Sequence, residues 1–283
     1  MLGKLCKHEF KATARWFLPL YAIALLLTPI TRITNSFGFR QYEGFFSTRI
    51  FSFIQGIVTM AYVSSLLIIG AACFLLIIYR FYKSMVTEEG YLMHTLPVST
   101  SSLIWSKLLV AFLWSIASIL VIALSLLLMF YKPGCFSPVI NSFSAFFQEI
   151  KNYNIGGQSI LLCIEVILLL IISAFTQPLI YYAAIAIGQI ISKNKIAGAI
   201  GGFFIIQIAT QVISVLCMIP FGFYMNNFNN KINAAIQSVQ AIPDVLSFVS
   251  GIILPLLILL SILGAGVLFL ITNFSFKRKL NLE

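Results

Sequence analysis

Six apolar runs, each near the length needed to cross a bilayer, constrain this chain more than any other feature of its sequence. They cover residues 16–33, 53–79, 108–131, 160–188, 196–221 and 249–272. A transmembrane helix needs about 20 apolar residues, and a helix satisfies its own backbone hydrogen bonds where lipid offers none. The sequence therefore predicts an all-α, polytopic membrane protein with six transmembrane helices.

The composition leaves little material for a second, water-soluble domain. Of the 283 residues, 60% are hydrophobic and only 9% are charged, far from the balance of soluble domains. We therefore expect residues 1–283 to form a single transmembrane domain in the cell membrane. The first span is too long for the apolar core of a cleavable signal peptide, and no small-x-small cleavage site follows it.

Basic residues predict the orientation of the spans. Twelve of the 18 Lys and Arg residues lie before span one, after spans two and four, or after span six, and the other six lie in the remaining connections. Because basic residues near span ends are retained in the cytoplasm, both termini are expected there. The net charge of +10 indicates a basic collar that faces anionic membrane lipid, with no nucleic-acid partner.

The first 15 residues have the pattern of an amphipathic helix. Apolar positions recur every three or four residues, and cations fill a second stripe at the same spacing: Lys4, Lys7, His8, Lys11 and Arg15. Such a helix would lie in the headgroup region before the chain turns into span one at Trp16. The alternative is that residues 1–15 only anchor the topology.

Polar residues inside the spans are candidates for function. Glu165 is the only acidic residue in any span, and a carboxylate in lipid is costly. It either contacts substrate or another helix, or it reaches the hydrated interface, since it lies near the start of span four.

With two His residues in the chain and no His or Cys cluster at ligand spacing, no metal site is expected.

Span five carries the most polar groups. Gln207, Thr210, Gln211 and Ser214 share one helical face, and Gly198 and Gly202 form a small-x-x-x-small patch that permits close helix contact. The polar stripe could line a transport pathway or a dimer seam. The alternative is ordinary packing within the chain.

Between spans two and three, residues 80–107 predict a helix, a break and a second helix at the cytoplasmic face. Gly90 would end the helix that contains Glu88 and Glu89, Pro97 would block its continuation, and Ser99 would cap the helix that leads into span three. This pattern is typical of a short docking helix.

These features resemble the permease subunits of type-2 ATP-binding cassette transporters, in particular a small Firmicute-type branch that works with a separate ATPase subunit. The residues that carry the resemblance are EEGYLMHTLPVS at Glu88–Ser99, SKLLVAFLW at Ser106–Trp114 and the basic tail KRKLNLE at Lys277–Glu283. The six spans and the amphipathic N-terminus agree with it.

The resemblance implies a division of labour between subunits. The segment 80–107 would act as the coupling helix, with Glu88, Glu89, Gly90 and Tyr91 contacting the ATPase. Two permeases, identical or paralogous, would pair in one transporter. ATP and Mg would bind to the ATPase and no cofactor to this chain, and relatives of this kind export peptides, lipids or other small molecules.

The chain lacks the sequence signatures of an enzyme. It contains no G-x-x-x-x-G-K-S/T phosphate loop, no G-x-S-x-G nucleophile elbow and no H-E-x-x-H zinc pair. We therefore expect no catalysis by this chain alone. Two other classes stay open: an ATP-independent secondary carrier, which would favour paired broken helices in an internal repeat, and a membrane sensor or assembly protein without transport.

Overall fold

The computed structural model describes residues 2–38, 45–95, 97–130, 156–189, 195–237 and 249–278, with positions 137, 141, 142, 144, 145 and 148. Side chains are described for these residues except 36–38, 45–49, 88, 91, 92, 94, 156, 159, 195, 218–237 and 278. This part of the chain is helical, with no strand in it. The predicted all-α class is therefore confirmed.

Seven α-helices and one π-helical turn follow one another in the described ranges. They are α1 (Leu2–Gly38), α2 (Phe45–Val86), α3 (Glu88–Thr95), α4 (Thr100–Phe130), α5 (Gly156–Gly188), α6 (Lys195–Gln237), the π-helix Val249–Ile253 and α7 (Leu254–Arg278). All of the α-helices except the short α3 contain a segment long and apolar enough to span a membrane, which gives six candidate spans among the described residues.

Several helices extend beyond the predicted spans. The 37 residues of α1 correspond to about 55 Å at 1.5 Å per residue, whereas the hydrocarbon core is about 30 Å thick. The expected turn at Trp16 is wrong, because α1 runs from Leu2 to Gly38 as one helix. Likewise α6 continues past residue 221 to Gln237.

The chain forms two compact units, Met1–Cys135 and Phe136–Glu283. In the first unit, α1 packs against both α2 and α4. Contacts of Glu9 with Lys107 and of Thr28 with Ser125 show that α1 and α4 run parallel. Contacts of Glu9 with Arg80 and of Asn35 with Gln55 show that α2 is antiparallel to α1.

The core of the first unit lies where these three helices meet. It contains Phe17, Tyr21 and Ala24 from α1, Ile69 and Cys73 from α2, and Val110 and Trp114 from α4. Ala24 is fully buried. Because its side chain is small, α1 and its neighbours approach each other closely at this residue. Close packing of this kind replaces the hydrophobic drive that is absent between helices in lipid.

Hydroxyl groups connect the same three helices deeper in the unit. Tyr21 Oη lies 2.7 Å from Ser118 Oγ. Ser125 Oγ lies 3.0 Å from Thr28 Oγ1 and 2.8 Å from Tyr62 Oη, so one serine joins α1, α2 and α4. Interhelical hydrogen bonds between such side chains contribute about 0.6 to 2 kcal/mol each in membranes.

In the second unit, α5 packs against both α6 and α7, and the π-helix contacts α5 and α7. The buried residues of α5 lie in its C-terminal half, where Tyr182, Ala183 and Ala186 are almost fully enclosed. Tyr181 of α5 stacks on Phe203 of α6, with ring centroids 5.6 Å apart.

Glycines set the distance between α5 and α6. A Cβ atom added to Gly188 would lie 2.4 Å from the backbone nitrogen of Ala199, and one added to Gly202 would lie 2.9 Å from the carbonyl oxygen of Ala184. At Gly198 the added atom would lie 2.8 Å from the carbonyl oxygen of Gly188. The close helix contact predicted for Gly198 and Gly202 is therefore confirmed, and its partner is α5.

Large apolar side chains are exposed along every spanning helix. Met60, Phe53 and Phe130, for example, are at least 70% exposed. A water-soluble monomer rarely exposes contiguous apolar surface of this extent. With six helices capable of spanning, this surface identifies a multi-pass membrane protein.

The glycine contact makes a prediction at two neighbouring positions. Gly202→Ala should destabilise the protein by about 1–3 kcal/mol, because the new methyl group meets a backbone carbonyl and forces α5 and α6 apart. Gly201→Ala is the matched control: nothing lies within 4 Å of its added Cβ, and alanine favours the helix by up to about 1 kcal/mol. Thermal unfolding in detergent would compare them, and equal midpoints would contradict the close contact.

Candidate functional site

Five charged side chains from four helices meet at the end of the first unit where α1 begins. We call Glu9, Arg80, Lys83, Glu89 and Lys107 the corner cluster. Glu9 accepts from Lys107 Nζ at 2.6 Å and from Arg80 Nε at 2.9 Å. Glu89 lies 3.5 Å from Arg80 Nη1 and 3.1 Å from Lys83 Nζ. The cluster therefore joins α1, α2, α3 and α4.

Burial differs across the cluster. Glu9 is 3% exposed and Lys107 is 5% exposed, whereas Lys83 and Glu89 are open to solvent along about two fifths of their side chains. A buried carboxylate needs compensating charge and hydrogen bonds, and each oxygen of Glu9 has one cationic donor. The inner pair is thus a structural requirement, while the outer pairs contribute roughly 0–1 kcal/mol.

An aromatic stack holds the start of α1 against α4. The Trp114 ring lies between Phe10 and Phe17, with centroids 4.8 and 4.5 Å away and interplanar angles of 11° in both cases. Its Nε1–H donates to Thr13 Oγ1 at 2.7 Å. This packing explains why α1 stays helical through residues 2–15 and why Glu9 faces α4.

The corner between α2 and α3 depends on a glycine. The α2 helix ends at Val86 and α3 begins at Glu88, and the Gly90 amide donates to the Thr87 carbonyl at 2.7 Å. A Cβ at Gly90 would lie 2.7 Å from the carbonyl carbon of Met85. The prediction that Gly90 ends a helix is wrong: Gly90 lies in the first turn of α3, and its small size allows the backbone to fold back.

The predicted break and cap after α3 are confirmed. Helix α3 ends at Thr95, and Pro97 and Ser99 lie outside any helix. The Ser99 carbonyl accepts from the amides of Ser102 and Leu103, and Ser99 Oγ accepts from the Ser102 amide at 3.4 Å. Ser99 is therefore the N-cap of α4, as such hydroxyl residues prefer to be.

Of the predicted coupling residues, the structure brings Glu89 and Gly90 to this corner. Glu88 and Tyr91 belong to α3, and their side chains lie outside the described set. Glu165 lies on α5 in the other unit and is half-buried. Its Oε2 atom is buried and accepts no hydrogen bond from the described residues.

The predicted polar stripe lies on the exposed side of α6. Gln207, Thr210, Gln211 and Ser214 are all exposed. At about 100° per residue they occupy the side opposite to the glycine patch that packs on α5. Thr210 and Ser214 donate to backbone carbonyls of their own helix, so the two glutamine amides are the groups left to face a partner.

Sequence reasoning missed the centre of the corner cluster. The N-terminal pattern points to its basic residues, and Arg80 and Lys107 belong to the predicted docking segment 80–107, so neither pattern predicts an ion pair with Glu9. A signal was present: at helical spacing Glu9 falls with Cys6 and Thr13 on the side of α1 away from the cations. An acidic residue on the inward side of a helix predicts a buried basic partner.

The corner cluster is a set of ion pairs between helices. It contains no cysteine or histidine, and no group of three or more His, Cys, Asp or Glu side chains that could hold a metal ion occurs within the described ranges. Its cations and carboxylates are engaged with one another. The ion pairs therefore hold four helices together at this end of the first unit.

Comparisons of the chain with protein-family models, with curated proteins and with solved structures found no match.

The inner ion pair leads to a prediction for Glu9→Gln. Removing this charge leaves Lys107 buried without a counterion, which should cost about 3–5 kcal/mol of folding stability. In the double variant Glu9→Gln with Lys107→Met no unpaired charge is left at that position, so much of the loss should be recovered. Unfolding in detergent would measure both variants; a double variant no more stable than Glu9→Gln would argue against the pair.

Proposed function

We propose that this chain is the transmembrane permease subunit of an ATP-binding cassette transporter whose ATPase is a separate subunit. Both termini and α3 face the cytoplasm, and the transporter contains a second permease copy or a paralogue. It exports a peptide, a lipid or another small molecule. The sequence resemblance at Glu88–Ser99 and the six candidate spans support this assignment.

One structural observation carries the proposal: a short, braced helix sits between two long apolar helices. The eight residues of α3 are too few to cross a bilayer, and they pack against α2. The corner at Gly90 fixes the N-terminal end of α3. The cap at Ser99 begins α4 shortly after the C-terminal end of α3. A helix held in this way is suited to receive a push from a soluble partner.

The corner cluster supplies a route from α3 to the spans. A displacement of α3 acts on Glu89, which pairs with Arg80 of α2. Arg80 in turn holds Glu9 of α1, and Glu9 holds Lys107 of α4. Because the inner contacts are short, the start of α1, the end of α2 and the start of α4 move as one body when the ATPase closes. Glu9 is thus a positioning residue.

The charges on α3 give the first test. With Glu88→Arg and Glu89→Arg the chain should still insert and purify, but a phosphate-loop ATPase that copurifies with the tagged wild-type chain from native membranes should be lost. Reversing the charge of these two side chains replaces the electrostatic attraction between α3 and the ATPase with repulsion. The measurement is the amount of ATPase recovered and its ATP hydrolysis.

A matched control keeps the result specific. Glu43→Arg with Glu149→Arg reverses two carboxylates in connections predicted on the opposite side of the membrane and should leave ATPase recovery unchanged. Full recovery with the charge-reversed α3 would contradict the docking role. A wild-type chain that never brings an ATPase with it, under several mild extractions, would favour a secondary carrier or a sensor.

The amide stripe of α6 gives the second test. We propose that Gln207 and Gln211 face either the transport pathway or the second permease, since exposed amides in lipid are stabilised by a polar partner. Gln207→Leu with Gln211→Leu should lower transport or dimer crosslinking by about tenfold. Cys135→Ala is the control and should change neither; an identical result for both variants would assign the stripe no such role.

A further inference from the structure

The outer side of α1 carries basic residues over its first four turns. Lys4, Lys7, His8, Lys11 and Arg15 are all exposed. At about 100° per residue they fall within an arc of about 100° around the helix. We call these five residues the α1 basic face.

The one carboxylate of this segment is turned away from the face. Glu9 lies about 150° around the helix from the middle of the arc and is enclosed by Lys107 and Arg80. Its charge is therefore neutralised inside the first unit. The basic face is left without a counterion from its own helix, so its positive potential attracts external anions.

The position of the face along α1 indicates what that anion is. On the side of α1 that carries the basic face, the exposed side chains change from basic to apolar after Arg15, where Leu18 and Leu26 are 60% and 67% exposed. Trp16, on another side of the helix at the same depth, is 63% exposed. Tryptophan is enriched at the boundary between hydrocarbon and headgroups. Arg15 lies at this boundary, and Lys11 lies one turn before it. Both cations are thus at the height of lipid phosphates.

We propose that Lys11 and Arg15 form a binding site for the headgroups of anionic phospholipids, at the depth that Trp16 marks on another side of the helix. The two cations are separated by one helical turn, about 6 Å along the axis, a spacing that lets both reach one phosphodiester or two neighbouring ones. Lys7 and Lys4 lie about 6 and 11 Å further from the boundary. At a screening length of about 8 Å they contribute less.

This proposal is independent of the docking of an ATPase. It concerns the face of α1 that points away from α4, whereas the proposed docking helix is α3. The link between them is structural, because the Glu9 ion pairs orient the basic face and also brace α3. Loss of lipid binding in a chain that keeps its ATPase would therefore concern this site alone.

Two variants that remove the same charge from the same helix make the test. The purified full chain is placed in nanodiscs with equal amounts of phosphatidylglycerol and phosphatidylcholine, and the phosphatidylglycerol retained with the protein after gentle detergent extraction is measured by native mass spectrometry. Lys11→Gln with Arg15→Gln should lower retention about tenfold. Lys4→Gln with Lys7→Gln should lower it about twofold.

Each outcome decides the proposal. A large loss confined to the Lys11 and Arg15 variant, with the thermal midpoint unchanged, supports a headgroup site at the boundary. Equal losses in the two variants would mean that net charge alone attracts the lipid, which overturns the site. Unchanged retention in both would also overturn it and would direct attention to an acidic protein surface as the partner of the basic face.

Discussion

Polar side chains inside a membrane are stabilised by hydrogen-bond partners within the protein, because hydrocarbon offers none. The first unit meets this constraint with serine, threonine and tyrosine hydroxyls placed where α1, α2 and α4 meet. Ser125 contacts both Thr28 and Tyr62, and Tyr21 contacts Ser118. These contacts place α1 between its neighbours, and the alignment of Glu9 with Lys107 at the end of the unit depends on that placement.

The same constraint holds for the charged side chains of the corner cluster. Burying Lys107 or Glu9 alone would be strongly unfavourable, and burying them together requires a contact as close as the observed 2.6 Å. The outer pairs at Glu89 are weaker and more exposed, so α3 is attached less tightly than α1. In the docking role that we propose, the firm inner link and the softer outer one would let α3 shift under load without separating from the spans.

Local patterns were sufficient for the spans, for the Ser99 cap and for the glycine patch, because each depends on residues close together in sequence. Helix lengths and the role of Gly90 were predicted incorrectly for the opposite reason. The turn expected at Trp16 is absent because Trp114, about a hundred residues away, stacks on both Phe10 and Phe17 and holds this stretch of α1 against α4. Gly90 is needed because the backbone of Met85 passes beside it. The helix propensities of residues 88–95 do not predict that contact.

The sequence by itself determined that this is an all-helical membrane protein with six candidate spans, because hydrophobicity and helix length are properties of short segments. It also placed a helix, a break and a cap between spans two and three. Only the tertiary structure decided that Glu9 is the centre of the charge network, that α5 is the partner of the glycine patch, and that the amides of α6 stay exposed. Those facts depend on which helix faces meet. Opposite charges or small residues far apart in sequence interact only when packing brings them within a few ångströms of each other.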